Sequence, residues 1–220
     1  MDAAQSLLTA VARFRAWADA LDVAVAERSG EWECNYDAWS EIYQAWAALL
    51  ANHPVQGWSA TLVTEVLYAL ARDNECQTMA RAIAKHASDS LLVLTDLAFI
   101  EGEPDAKWQL AVELGKLVND RPRVEAALVR MADDTDEYVR RRALQSLAKA
   151  APHLVVPLAL REWANAPDAM PWTRMNVLAV LAEVGAPELH ALWRIAIAGP
   201  DGYLREFARK MQTGELDATR

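Results

Sequence analysis

The chain has 220 residues, of which 53% are hydrophobic and 24% are charged. This composition supplies enough apolar material for a buried core and excludes a largely disordered chain. Its 31 acidic and 22 basic residues give a formal net charge of −9, which opposes a phosphate backbone and argues against a nucleic-acid partner.

The two cysteines, Cys34 and Cys76, lie far apart in the chain without a Cys-x-x-Cys spacing. The sequence therefore predicts neither a disulfide framework nor a zinc site, and a reducing cytoplasm fits best. The N-terminus lacks the basic and apolar regions of a signal peptide. The uncharged stretch from Ile42 to Thr64 is broken by Asn52-His53-Pro54, which favours two helices and a turn over a membrane span.

Helical periodicity runs through almost every segment, and no alternating strand pattern with hairpin turns occurs. Helix starts are marked by Asn35, Ser59 and several prolines, and Pro157 is expected to kink the ninth helix. The sequence predicts an all-α fold of about six antiparallel helix pairs, because the connections are short. The predicted helices span 3–28, 36–51, 60–72, 75–87, 90–101, 104–118, 122–132, 136–150, 152–165, 171–184, 187–198 and 201–212.

Five of the nine tryptophans fall in the first 58 residues, where the chain is least repetitive. Trp32, Tyr36, Trp39, Tyr43 and Trp46 follow steps of four and three, which places them on one helical stripe. Such a stripe either packs in the core or forms a groove for a partner, and the sequence leaves both open. We predict that 1–74 forms an atypical tryptophan-rich helical cap.

From residue 75 onward, a pattern of one acidic residue, five others and one basic residue recurs every 31 to 34 residues. A charge pair on a nearly fixed period indicates one stackable unit copied along the chain. Apolar positions keep the same step. The coinciding positions are Ala106, Val139, Thr173 and Leu204 in one set and Leu110, Ala143, Val177 and Ala208 in the other.

This pattern resembles the HEAT-repeat family, whose two-helix units carry an aspartate in the turn and a valine-arginine step at the start of the second helix. The resemblance is strongest over 101–147 and 168–181. It implies a right-handed α-α superhelix, with 1–220 as one solenoid domain, HEAT-like repeats over 75–212 and a frayed tail over 213–220. It also implies a structural charge ladder of turn acids and helix bases. The ladder residues are Glu101, Lys107, Asp134, Arg140, Asp168, Arg174 and Arg205.

In solenoids of this type, the second helices line the concave surface. By that resemblance, a mixed aromatic and polar set on the second helices is the first candidate for a partner-binding face, although an ordinary solvated surface is the alternative. The candidate residues are Gln109, Tyr138, Arg142, Trp172, Asn176 and Tyr203.

The sequence offers no catalytic or metal-binding motif. The four histidines fall in different predicted segments, and no nucleophile, base or phosphate-binding loop can be named. We therefore expect no enzyme activity, no cofactor and no metal. The composition is typical of a bacterial protein. Small acidic HEAT-like proteins of bacteria suggest an adaptor, an assembly factor or an inhibitor that binds another protein with a basic surface.

Two alternatives come from relatives of the same repeat family. HEAT-like DNA glycosylases hold damaged DNA in a basic groove, and Trp108, Trp172, Asp168 and Arg142 would imitate their aromatic and charged residues. Such an enzyme needs a continuous positive track for phosphates. Helical-repeat lyases that attach chromophores to light-harvesting proteins would instead need a hydrophobic pocket.

Overall fold

The computed structural model describes residues 2–21, 31–166 and 170–215, and every regular element within these ranges is a helix. The prediction of an all-α chain is confirmed. The chain divides into two compact units, Met1–Leu114 and Gly115–Arg220, which we call unit 1 and unit 2. The boundary between these units, after residue 114, does not coincide with the predicted end of the cap at residue 74. The single solenoid domain with a cap over 1–74 stays a prediction.

Each unit contributes six α-helices, and three short 3₁₀ helices lie between them in the described ranges. Unit 1 contains α1 Ala3–Asp19, α2 Trp39–Asn52, α3 Ala60–Arg72, α4 Thr78–His86, α5 Ser88–Glu101 and α6 Pro104–Leu114. Unit 2 contains α7 Arg121–Met131, α8 Glu137–Ala150, α9 Val155–Asn165, α10 Pro171–Glu183, α11 Leu189–Ala198 and α12 Gly202–Thr213. The 3₁₀ helices span Trp32–Asn35, Val55–Gly57 and Pro152–Leu154.

Polar side chains fix several of these helix starts. They accept hydrogen bonds from first-turn backbone N–H groups, which have no acceptor within the helix. Ser59 accepts the amide of Leu62 at 3.2 Å, as its position in the sequence predicts. Asp136 and Asp201 do the same for α8 and α12. Three helices thus begin where a side-chain cap is available.

Two predicted boundaries are wrong for physical reasons. Asn35 does not cap α2, because it ends the 3₁₀ helix that precedes it, and α2 begins only at Trp39. Pro157 does not lie in mid-helix, because α9 begins at Val155 and the proline falls in the first turn. A first-turn residue has no carbonyl to bond within the helix, so the missing N–H of proline costs nothing there. The predicted first helix extends into 22–30, which lies outside the described residues.

In unit 1, the helices do not pair simply in chain order. Helix α1 packs against α2 and α3, whereas α3 has α5 and α6 as its other main neighbours. Helix α4 packs chiefly against α2, α5 and α6, so the predicted pairing of 60–72 with 75–87 is not the main contact of either helix. This irregularity agrees with the weak repeat pattern of the N-terminal sequence.

Unit 2 is built from three successive hairpins, α7–α8, α9–α10 and α11–α12. The second helices pack in series, α8 against α10 and α10 against α12. Every apolar repeat position named from the sequence is buried, with at most 5% of its surface exposed, in α6 of unit 1 as well as in these helices. The equivalent positions of the pattern are therefore core positions in all four helices.

An arginine in the first turn of each second helix of unit 2 closes the loop of its own hairpin. Its guanidinium donates hydrogen bonds to backbone carbonyls in the connection between the two helices. Carbonyls that follow the end of a helix have no N–H partner within it. The bonds run from Arg140 to Asp134 O (3.0 Å) and Thr135 O (2.9 Å), from Arg174 to Ala166 O (3.1 Å), and from Arg205 to Gly199 O (3.3 Å). The recurring base thus stabilises a turn.

The acidic half of the predicted ladder works differently from expectation. Asp134 accepts the backbone amide of Asp136 at 2.9 Å, and the carboxylate that Arg140 bonds is Glu162 of α9, at 2.6 Å. Arg140 therefore links its own loop to the next hairpin. Asp168 lies outside the described residues.

The remaining two members of the predicted ladder belong to unit 1. Glu101 is the last residue of α5 and accepts a hydrogen bond from Thr64 at 2.7 Å. Lys107 is half-buried on α6.

The role of Arg140 gives a stability prediction. We expect Arg140→Ala to lower the free energy of unfolding by about 3 kcal/mol, because the 10%-exposed Glu162 side chain loses its cation and two loop carbonyls lose their donor. Urea denaturation monitored by circular dichroism measures it. The control Arg209→Ala, on the exposed side of α12, should change stability by less than about 0.5 kcal/mol. Equal losses in both variants would contradict the role of Arg140.

Candidate functional site

Three aromatic side chains occupy the same position on the three second helices of unit 2. Tyr138, Trp172 and Tyr203 are each the second residue of their helix, and we call them the aromatic face. In each case a buried residue follows and then the loop-closing arginine. Successive residues of a helix point about 100° apart. Because the buried residue points into the core and the arginine points toward the loop, the aromatic residue points in a third direction.

The aromatic face is unusually exposed for its residue types. Trp172 keeps 51% of its surface exposed and Tyr203 keeps 71%, although large aromatic side chains are normally well covered. Their ring centroids lie 6.1 Å apart in a tilted arrangement. Tyr138 is half-buried, with the guanidinium carbons of Arg141 and Arg142 at 4.7 and 4.9 Å from its ring centroid.

A groove of about 750 Å³ adjoins Tyr203 at the start of α12. Met175 and Phe207 supply apolar lining, and Glu206 and Lys210, which also line the groove, form an ion pair of 3.3 Å. Apolar walls with a few polar groups at the rim are typical of binding pockets. The exposed aromatic side chain and the groove together form one continuous surface on unit 2.

A row of polar side chains lies next to the aromatic face. Arg142 donates to the hydroxyl of Tyr138 at 2.5 Å and to Gln145 at 3.1 Å, and Gln145 donates to Asn176 at 2.7 Å. This row joins α8 to α10 and fixes the orientation of Tyr138. These polar side chains therefore hold the helices together in addition to lying beside the aromatic face.

Two predicted partner-binding residues are corrected by their burial. Asn176 is only 6% exposed and bonds Gln145 and the backbone of Arg141, so a partner cannot reach it. Gln109 has no exposed surface and donates to Leu70 O at 2.6 Å within unit 1. Both amides are buried because a neighbouring helix supplies their hydrogen bonds.

The basic run at 140–142 does not form a patch for phosphates. Arg140 faces its loop and Glu162, Arg141 pairs with Glu137 at 3.2 Å, and Arg142 bonds Tyr138. Trp108, which the glycosylase alternative would use, is 5% exposed in unit 1 and donates its indole N–H to Asp105. Within the described residues, these side chains are engaged in structural contacts.

The aromatic side chains of the tryptophan-rich end cluster around Phe14, but of its five tryptophans only Trp46 is buried and the others are half-buried, so both interpretations stay open. Phe14 is fully buried and lies at the centre of this cluster. Its ring centroid is 5.0 to 6.2 Å from those of Trp17, Trp32, Tyr36 and Trp39. Trp17 and Trp32 stack on each other at 5.9 Å.

A buried carboxylate holds the same end together. Asp73 is 2% exposed and accepts hydrogen bonds from the Tyr43 hydroxyl and the Met79 amide, both at 2.7 Å. Burial raises the pKa of Asp73, and it raises the pKa of Tyr43 together with the bond to Asp73. This network connects α2 to the start of α4 and is part of the interior of unit 1.

Across 2–21, 31–166 and 170–215, no group of three or more His, Cys, Asp or Glu residues is placed to hold a metal ion. No helix within the same ranges has the length and apolar character needed to cross a bilayer. Comparison of the chain with protein-family models, with curated proteins and with solved structures finds no match in any of the three.

The contrast between Trp172 and Asn176 yields a prediction. We expect Trp172→Ala to change the free energy of unfolding by less than about 1 kcal/mol, because half of the side chain is already in water. Asn176→Ala should cost about 1 to 3 kcal/mol, because it leaves the Gln145 side-chain amide without the buried oxygen to which it donates. Urea titrations of both variants supply the two values. A larger loss for Trp172→Ala than for Asn176→Ala would mean that Trp172 serves the fold.

Proposed function

We propose that the protein is a noncatalytic protein-binding module whose partner docks on the aromatic face of unit 2. The observation that carries this proposal is the exposure of Trp172 and Tyr203 beside an apolar groove. Aromatic residues concentrate binding energy at protein interfaces, and rigid helices hold these two in place before binding. An adaptor, an assembly factor or an inhibitor would use such a surface.

The exposed aromatic area would contribute a substantial part of the free energy of binding. Covering the exposed parts of Trp172 and Tyr203 would remove on the order of 250 Å² from water, or about 6 kcal/mol before the costs of association. The groove beside Tyr203 adds room for an apolar anchor of the partner. Polar contacts at the rim would then set specificity rather than most of the affinity.

We also propose that the hairpins are HEAT-like repeats and that the superhelix predicted from the sequence describes their arrangement. The serial packing of α8, α10 and α12 supports a stacked repeat within unit 2, and the loop-closing arginines support a common hairpin. A bacterial cytoplasm remains the proposed location, with the free thiols of Cys34 and Cys76 in keeping with reducing conditions.

No observation on the described residues favours the two enzymatic alternatives. The charges of unit 2 nearly cancel, with 14 acidic and 15 basic residues, and the arginines at 140–142 already have protein partners. A glycosylase groove would instead present arginines to phosphates. The lining of the groove at α12 includes the charged residues Asp201, Glu206 and Lys210, which suits a protein segment better than an enclosed chromophore.

Partner capture tests the proposal. The tagged protein is used to isolate its partner from a lysate of the source cells, and the affinity of the purified pair is then measured for each variant. We expect Trp172→Ala and Tyr203→Ala each to weaken binding by at least 10-fold, because aromatic anchors in an interface typically contribute 2 kcal/mol or more.

The matched control is Ile195→Ala, which removes a 56%-exposed apolar side chain from α11 in the same unit. Its affinity for the partner should stay within two-fold of the unaltered protein. If all three variants bind alike, the aromatic face is not the docking surface. Thermal unfolding of each variant is measured as well, so that weaker binding caused by a lost contact can be told apart from weaker binding caused by unfolding.

A further inference from the structure

The net negative charge of the chain arises entirely from unit 1. This unit carries 17 acidic and 7 basic residues, a net charge of −10, whereas unit 2 carries 14 and 15, a net charge of +1. A surface of one sign attracts partners of the opposite sign and raises their rate of encounter. A basic partner would therefore be drawn to unit 1, although the exposed aromatic residues lie on unit 2.

Unit 1 contains a cleft suited to one kind of basic side chain. The cleft has a volume of about 310 Å³ and lies between the 3₁₀ helix Val55–Gly57, α3 and α5. Most of its lining side chains are apolar, and one of the lining residues is a carboxylate. The lining residues are Val55, Gln56, Trp58, Ala60, Val63, Val93, Leu97 and Glu101.

Contacts within unit 1 hold the side chains that line the cleft. Trp58 donates its indole N–H to His53 O at 3.2 Å and meets Trp46 edge-to-face at 5.7 Å. Val93, Leu97 and Glu101 follow each other at steps of four on α5, so they share one side of that helix. The cleft thus combines apolar side chains with one carboxylate in its lining.

The carboxylate stands where a helix disfavours it. Glu101 is the last residue of α5, and the C-terminus of a helix carries partial negative charge. Both the carboxylate and the carbonyls of the last turn would attract a cation at this point. Thr64 donates to Glu101 Oε2 at 2.7 Å, and within the described residues no hydrogen bond reaches Oε1.

We propose that this cleft binds a lysine side chain of a basic protein partner, an inference that rests on the protein-binding function proposed above. The four-carbon stem lies against Trp58, Val93 and Leu97, and the ammonium group reaches Glu101. A lysine fits the cleft because its flexible apolar stem can cover the lining side chains and its ammonium group needs only one carboxylate oxygen.

The test uses the full chain and acetylated hexalysine amide as the probe. Binding is followed through the indole ¹H–¹⁵N signal of Trp58, assigned by its loss in Trp58→Phe. We expect hexalysine to shift this signal saturably. Glu101→Gln should weaken the affinity at least five-fold while keeping an acceptor for Thr64.

Asp96→Asn is the matched control, because it removes one negative charge from an exposed position on the same helix. Its affinity for hexalysine should fall by less than two-fold. Equal losses in Glu101→Gln and Asp96→Asn would show diffuse attraction to the acidic unit and overturn the site. An unmoved Trp58 signal at saturating peptide would overturn it as well.

The outcome is independent of the docking proposal for unit 2. If Trp172→Ala leaves partner binding intact while Glu101→Gln loses hexalysine, the aromatic face is refuted and the lysine cleft stands. If the aromatic variants lose the partner while hexalysine ignores Glu101, the cleft alone is refuted.

Discussion

The hairpins of unit 2 depend on one recurring interaction, the hydrogen bond from a first-turn arginine to the carbonyls of the preceding loop. Arg140, Arg174 and Arg205 each make it. Because the arginine is fixed to the loop and its preceding neighbour is buried in the core, the residue one position earlier is turned outward. The aromatic face is thus a geometric consequence of how each hairpin is closed.

The different directions of the side chains explain why the aromatic residue, the buried residue and the arginine at the start of each second helix have different roles. Val139 and Leu204 are at most 5% exposed and hold the helices together, whereas Tyr203 is 71% exposed. An exposed tyrosine contributes little to folding. Its place beside a groove is the observation that supports the proposed binding role, and the exposure of Trp172 supports it too.

Much of unit 2 could be predicted from the sequence because its information is local and repeated. The period of the apolar residues predicted which positions are buried, and Ala143, Val177 and Ala208 are all fully buried. The role of arginine was only half predicted. Its acidic partner is Glu162 of the next hairpin rather than the turn aspartate, since the carboxylate of Asp134 is used within the turn.

Other features depend on contacts that no local pattern contains. Gln109 is buried because Leu70, 39 residues away, offers it a carbonyl, and Asn176 is buried because Gln145 reaches it from the neighbouring helix. The packing of α3 and α4 in unit 1 likewise follows from distant partners rather than loop length. The exposure of Trp172 was expected from its register, but the groove beside Tyr203 is formed by side chains of α10 and α12 together.

The two units also differ in how they would meet a partner. Unit 1 contributes charge and a cleft with one carboxylate, while unit 2 contributes exposed aromatic area. Charge acts mainly on the rate of encounter, and buried aromatic area acts mainly on the lifetime of the complex. A protein with both would find a basic partner quickly and keep it.

Site-specific photo-crosslinking in living cells tests most directly whether the aromatic face is a docking surface. p-Benzoylphenylalanine replaces Tyr203 in one variant and Ile195 in another, and both positions are exposed in unit 2. The account predicts that light joins one discrete protein to position 203 and none to position 195. Crosslinks of equal yield at both positions, or at 195 alone, would contradict it.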